Sequence, residues 1–171
     1  MDLRVTKTKQ NINKAFMVIL SKKPFEKITI KELSNLACIN KSTFYLHYKD
    51  IYDLRESVED EFVALCVNEI SDSNILTEET IIKTATFLAS RFETFTVLFP
   101  ISRLHIFQEK YIASVKNFIF TKYPTQKNNY CLNYFISLIL SGSIFAFYKC
   151  YNSEHLDELI NSEMNFFQIK L

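Results

Sequence analysis

Along the first third of the chain, apolar residues recur at helical spacing. Ile12, Ala15, Phe16, Ile19 and Leu20 fall at i, i+3, i+4, i+7 and i+8, one stripe of a helix over about residues 6–22, with Lys7, Lys9 and Lys14 off the stripe. Pro24 in "KKPF" breaks it. Thr29 and Glu32 read as a capping box, the hydroxyl accepting from the Glu32 amide while the carboxylate returns to the Thr29 amide. A second, short helix therefore opens at about residue 30 and buries Leu33, Leu36 and Ala37. Asn40 reads as the N-cap of a third helix over about residues 41–47, "KSTFYLH", and Asp50 caps a long fourth helix through Ile51, Leu54, Val58, Phe62 and Leu65. Phe44 and Tyr48, four apart, share an inward face, leaving Tyr45 and His47 outward or sideways beside Lys49. Three short helices with a three-residue turn between the second and third make a helix-turn-helix. Farther on, Thr77 with Glu78 and Glu79 opens a helix to about Arg91–Phe95, and Pro100 opens another to Tyr123. Pro124–Thr125 start a long uncharged helix, and Ser153 with Glu154 begin a last one to about Ile169.

Composition supports the same class. One Gly among 171 residues is far below the usual share of about 7%, and tight hairpins need several residues with positive φ. Dinucleotide and Walker fingerprints need at least two glycines and are absent. The expectation is an all-α protein with ample material for a core, 48% of the chain being hydrophobic, including 16 Phe and 9 Tyr.

Chemistry is harder to find. Cys38, Cys66, Cys131 and Cys150 form no CxxC pair and lie 28, 65 and 19 residues apart, which suits reduced thiols in a cytoplasmic protein better than a disulfide framework or structural zinc. His47, His105 and His155 are scattered without metal-ligand spacing, and the single glycine, in "LSGS", excludes a GxSxG elbow. Catalysis, metals and cofactors are accordingly not expected. Asn128–Tyr148 is 21 residues without a charge, long enough to cross a bilayer. Its interspersed Asn and Ser suit a helix buried within a bundle or dimer better, and no membrane is expected.

Charge is unevenly placed. Residues 1–55 carry 11 Lys and Arg against five acids, net +6, whereas residues 56–171 carry 9 against 14, net −5. A basic module joined to an acidic, aromatic-rich one suggests that the first faces a polyanion. In a helix-turn-helix the third helix enters the major groove with its N-terminal residues nearest the bases; here these are Lys41, Ser42 and Thr43. An ordinary three-helix packing unit with polar edges has the same periodicity.

The stretch "ITIKELSNLACINKSTFYLHYKDIYDL", Ile28–Leu54, resembles the DNA-binding helices of the TetR family of transcriptional regulators. Thr29, Ala37, Ile39, Asn40, Thr43, Phe44, Tyr45, His47, Tyr48 and Lys49 stand in matching places, while Cys38 replaces the family's usual glycine and Asn40 its usual serine. The resemblance implies a helix-turn-helix domain over 1–50 and a helical dimerisation and effector domain over 51–171. Lys41, Ser42 and Thr43 would then meet bases or nearby phosphates, Tyr45 and Lys49 the backbone, and His47 the groove edge, with Thr29 in the same DNA-facing set. It also implies a homodimer on palindromic double-stranded DNA, acting as a repressor and released by a small-molecule effector. Gly142 and Ala146, four apart, would let a partner helix approach, with Phe135, Leu138, Ile139 and Phe145 around them. Aromatic residues for an effector pocket are Phe87, Phe92, Phe95, Phe99, Phe107, Tyr111 and Tyr134, although rings at helical spacing are equally core. The competing reading is a helical ligand-binding or membrane-associated protein whose basic head binds polyanions without sequence preference.

Overall fold

Eight α-helices and three 3₁₀ turns make up the regular structure in this computed structural model, which describes residues 3–70 and 78–151. The chain divides into two compact units, Met1–Glu61 with Glu93–Pro100 and Phe62–Phe92 with Ile101–Leu171.

In the first unit, α1 (Leu3–Leu20) buries Ile12, Ala15, Phe16 and Ile19, the stripe read from the sequence, and leaves Leu20 half-buried. A 3₁₀ turn at Phe25–Lys27 follows Pro24. Next come α2 (Ile30–Leu36), α3 (Lys41–Tyr45) and α4 (Ile51–Asn68). Leu33, Phe44 and Leu54 are fully buried at their centre. Leu36 is a correction: it is 49% exposed, and the inward position on α2 is taken by Ser34. On a seven-residue helix the buried arc covers Leu33, Ser34 and Ala37, and Leu36 lies outside it.

Caps fix where these helices start. Thr29 Oγ1 accepts from the Glu32 amide at 3.3 Å, but only half of the expected box forms, because the Glu32 carboxylate pairs with the Lys23 ammonium instead. At α4 the cap bond forms and the return bond reaches the residue before the cap. Asp50 Oδ1 accepts from the Asp53 amide at 2.9 Å, and Asp53 Oδ2 accepts from the Lys49 amide at 2.7 Å.

Glu93–Pro100, which holds α6 (Phe92–Leu98) apart from its first residue, belongs to this first unit and buries Phe95, Leu98 and Phe99. Its C-terminal Leu98 carbonyl, one of the four that a helix leaves without an internal partner, accepts from Arg55 Nη2 at 3.4 Å. Arg55 Nε also donates to Glu59 Oε1 at 3.0 Å, and its guanidinium lies 4.5 Å from the Phe25 ring centroid. Both charged residues are buried.

In the second unit, α5 (Glu78–Ser90), α7 (Leu104–Lys122) and α8 (Tyr130–Cys150) pack with the end of α4. Phe62 lies against Phe87 and Phe107 at 6.1 and 6.2 Å between centroids. Burial pushes the Cys66 thiol and the Tyr111 phenol each up to about 12, so both stay protonated and inert at neutral pH. Three boundaries differ from the sequence reading. The helix expected to run to Arg91–Phe95 breaks at Arg91 into α5 and α6. After both Pro100 and Pro124 the chain makes a 3₁₀ turn first, Ile101–Arg103 and Pro124–Gln126, and the α-helix follows. The cap of α8 is Asn129, whose Oδ1 accepts from the Leu132 amide at 3.1 Å. Thr77 and the helix expected from Ser153 to Ile169 lie outside the described residues.

Candidate nucleic-acid interface

The turn between α2 and α3 is built around one strained residue. Cys38 has φ 55°, the left-handed region that favours glycine. Ile39 N donates to the Ser34 carbonyl at 3.0 Å and Cys38 N to the Asn35 carbonyl at 3.2 Å. These two bonds are the 6→1 and 5→2 closure of a Schellman motif, with Cys38 where glycine is usual. Cys38→Gly is therefore expected to stabilise the chain by about 0.5–1 kcal/mol, relief of left-handed strain exceeding the added freedom of the unfolded chain. Urea unfolding checks it, and a fall in stability would mean that packing of the thiol outweighs the strain.

From this turn α3 projects with its faces sorted. Phe44 and Tyr48 are buried, as expected from their spacing. Tyr48 OH donates to Asn13 Oδ1 at 3.0 Å, Asn13 Nδ2 donates to Glu61 Oε2 at 2.8 Å, and the Lys9 ammonium stands 5.7 Å from the Tyr48 ring centroid. Burial, with Glu61 and Asp53 nearby, raises the Tyr48 phenol above its ordinary value and keeps it a donor. This chain of bonds ties the segment after α3 to α1 and α4.

On the other side Lys41, Ser42, Tyr45 and Lys49 are exposed, Tyr45 by 57%, with Thr43 and His47 half-buried beside them. Phe44 meets the Tyr45 ring edge-on at 5.6 Å, supporting the exposed phenol from below. The six residues expected on and after α3 are thus all reached by solvent, and Thr29 is exposed at the start of α2. Asn40 is a correction in part: its backbone is extended as an N-cap requires, yet its side chain makes no capping bond. With Asn35, Cys38 and Thr43 it lines a cleft of about 430 Å³ where α2 meets α3. Periodicity does not single out Asn35, since an exposed amide on a short helix carries no pattern.

Most of the aromatic residues expected to line an effector pocket are packed within one or other unit. Phe87, Phe107 and Tyr111 are buried in the second unit, Phe107 and Tyr111 stacked at 5.5 Å, with Tyr111 OH 3.2 Å from Thr84 Oγ1. Phe95 and Phe99 belong to the first unit. Phe92 stacks on Tyr151 at 3.6 Å and meets Phe147 and Tyr148. Tyr134 is 64% exposed on α8 and lines no interior. Helical spacing distributes rings over every buried face, so it does not single out a cavity.

The residues expected at a dimer seam do share a surface. Ile136, Ile144 and Phe147 are the buried side of α8. Phe135, Leu138, Gly142 and Phe145 are exposed, with Ile139 and Ala146 half-buried beside them, and a Cβ at Gly142 would meet nothing within 4 Å. Tyr130–Lys149 is also long and apolar enough to cross a membrane by length and composition.

No family model and no curated protein matches the sequence. Solved structures do match. One is a transcriptional regulator of the "TerR/AcrR family" from Aquifex aeolicus VF5, at 17% identity and TM-score 0.60, covering 95% of this chain and 98% of that one. Another is the dihydroxyacetone kinase operon activator DhaS, at 14% identity and TM-score 0.56, covering 93% and 97%. Over nearly its whole length, the chain has the all-α fold of the TetR/AcrR-type transcriptional regulators.

Proposed function

We propose that this chain is a sequence-specific, DNA-binding transcriptional regulator that works as a homodimer on a palindromic operator, with residues 1–50 as the reading head and 51–171 as the dimerisation and effector domain. One observation carries the reading: on a Schellman turn, α3 buries Phe44 while Lys41, Ser42, Tyr45 and Lys49 face solvent together. A core-only role for α3 does not account for a 57% exposed tyrosine flanked by lysines. Lys41, Ser42 and Thr43 at the start of α3 read base edges; Tyr45, Lys49 and Thr29 position the head on phosphates, and His47 lies at the groove edge. Both solved relatives are named for transcription control, one of them an activator. For this chain we assign repression by occupancy of the operator, in the cytoplasm, relieved by a small molecule.

Selection of genomic fragments by the purified full chain at near-physiological salt tests this. The wild type should enrich a short palindrome. Tyr45→Ala with Lys49→Ala should weaken binding to all sequences alike and lower the log–log salt slope by about one for each phosphate that is no longer neutralised. Lys41→Ala or Thr43→Ala should change the preferred base at one position per half-site, discrimination at a base edge being worth about 1–3 kcal/mol. Fragments retained without preference, equally by all variants, would leave only a basic surface.

A further inference from the structure

Leu36 is an apolar residue that the fold covers only in part. It is 49% exposed, and across from it on α1 Val18 is 43% exposed. Both line a groove of about 580 Å³ between the C-terminal part of α1 and α2, with buried Ile19 in the same wall. Lys22, Lys23 and Lys31 also line it, against a single acid, Glu32, which Lys23 neutralises. Lys22 is exposed and Lys31 is solvent-facing beside it, and neither makes an ion pair among the described residues. Nothing in the base-reading side of α3 requires this groove: Thr29 is the one residue it shares with the DNA-facing set.

We propose that this groove is a docking surface for an acidic amphipathic segment of a partner protein. The occupant follows from the two halves of the wall. Phosphate would satisfy the lysines but gains nothing from Val18, Ile19 and Leu36, whereas a purely apolar partner would leave two unpaired ammonium groups at the rim. A helix or extended segment with leucine-like residues on one side and carboxylates beside them satisfies both, in the helix-in-groove manner of peptide recognition. Apolar contact supplies the affinity, and the lysines supply on-rate and discrimination against basic segments. The groove is lined by residues of the head, none of them from α8. The proposal goes beyond the DNA-binding reading and does not depend on it.

The test uses the full chain and a fluorescein-labelled amphipathic peptide with Leu at i, i+3, i+4 and i+7 and Glu elsewhere, followed by anisotropy. Controls are the same residues scrambled to remove the apolar face, and a random-sequence DNA duplex. The amphipathic peptide should bind at least about tenfold tighter than the scrambled one. Leu36→Ser and Val18→Ser, both at exposed positions, should each weaken it at least about fivefold and leave duplex affinity unchanged. Lys22→Glu with Lys31→Glu should weaken it at least about tenfold. Equal affinity for the two peptides, or insensitivity to both apolar variants, would overturn the proposal. A matching fall in duplex affinity on Leu36→Ser would overturn it as well, making the groove a wall of the DNA surface.

Discussion

Arg55→Met is expected to be the most damaging single change in the head, at about 3–5 kcal/mol, because it takes the arginine from a buried ion pair. Arg55 satisfies the Glu59 carboxylate at 3.0 Å and the Leu98 carbonyl at 3.4 Å, both within the first unit. With the guanidinium gone, the Glu59 carboxylate is left without its arginine and the α6 terminus without its donor. The guanidinium also covers the Phe25 ring at 4.5 Å, an interaction of about 0.5–2 kcal/mol that methionine replaces only in part. The pair itself should be worth much less than the cost of breaking it. Arg55→Met with Glu59→Leu removes both charges, and similar apolar volume in such sites is often neutral or stabilising. Urea unfolding of the full chain at one fixed protein concentration should therefore show the double variant recovering most of the deficit. If the single and double variants are destabilised by the same amount, the cost lies in packing around Phe25 and not in the broken ion pair.

That pair marks a limit of reading the sequence. Arg55 and Glu59 are four apart on a helix, and the same spacing ordinarily describes a solvated surface pair. The return of Glu93–Pro100 to the head brings the Leu98 carbonyl to Arg55, and no local pattern in α4 announces a bond to a carbonyl 43 residues on. The head is otherwise legible, because its information is local. The α1 stripe, the Thr29 and Asp50 caps and the Phe44–Tyr48 spacing each depend on near neighbours in the chain, and each has its structural counterpart. Leu36 departs from expectation because a seven-residue helix has too few turns for periodicity to separate a buried position from its neighbour. Cys38 shows the converse: the Schellman bonds impose φ 55° on a residue that local preference would not place there. The α5–α6 break at Arg91 falls inside a run, "SRFETF", with no glycine or proline to signal it.

Gly142→Leu should act in opposite directions on the protomer and on the dimer, which makes α8 the place to test the proposed homodimer. Within the chain a side chain at Gly142 meets nothing within 4 Å, and replacing a mid-helix glycine gains about 0.5–1 kcal/mol. In the monomeric Leu138→Glu/Phe145→Glu background, where pairing contributes nothing, thermal unfolding should rise accordingly. If a partner helix approaches closely at Gly142, the leucine overpacks the seam at about 1–3 kcal/mol, and a two-fold interface meets the change twice. The dimer should weaken by about 30-fold to 2 × 10⁴-fold, and operator affinity should fall with it because each monomer holds only one half-site. Leu138→Glu with Phe145→Glu gives an independent disruption. Each wild-type side chain is about half exposed, so burying the remainder is worth about 1–1.5 kcal/mol, or about 4–6 kcal/mol over both residues and both protomers. Sedimentation equilibrium should show wild-type dimer and monomeric variants. A dimer that survives both changes would place the seam elsewhere. A wild type that is monomeric and partitions onto lipid vesicles, with the Leu138→Glu/Phe145→Glu variant remaining in solution, would make the same apolar face a membrane-docking surface. A symmetric pairing is favoured because it covers the aromatic and aliphatic side chains of α8, and because the proposed reading of a palindrome calls for two recognition helices, about 34–36 Å apart on adjacent turns of the duplex.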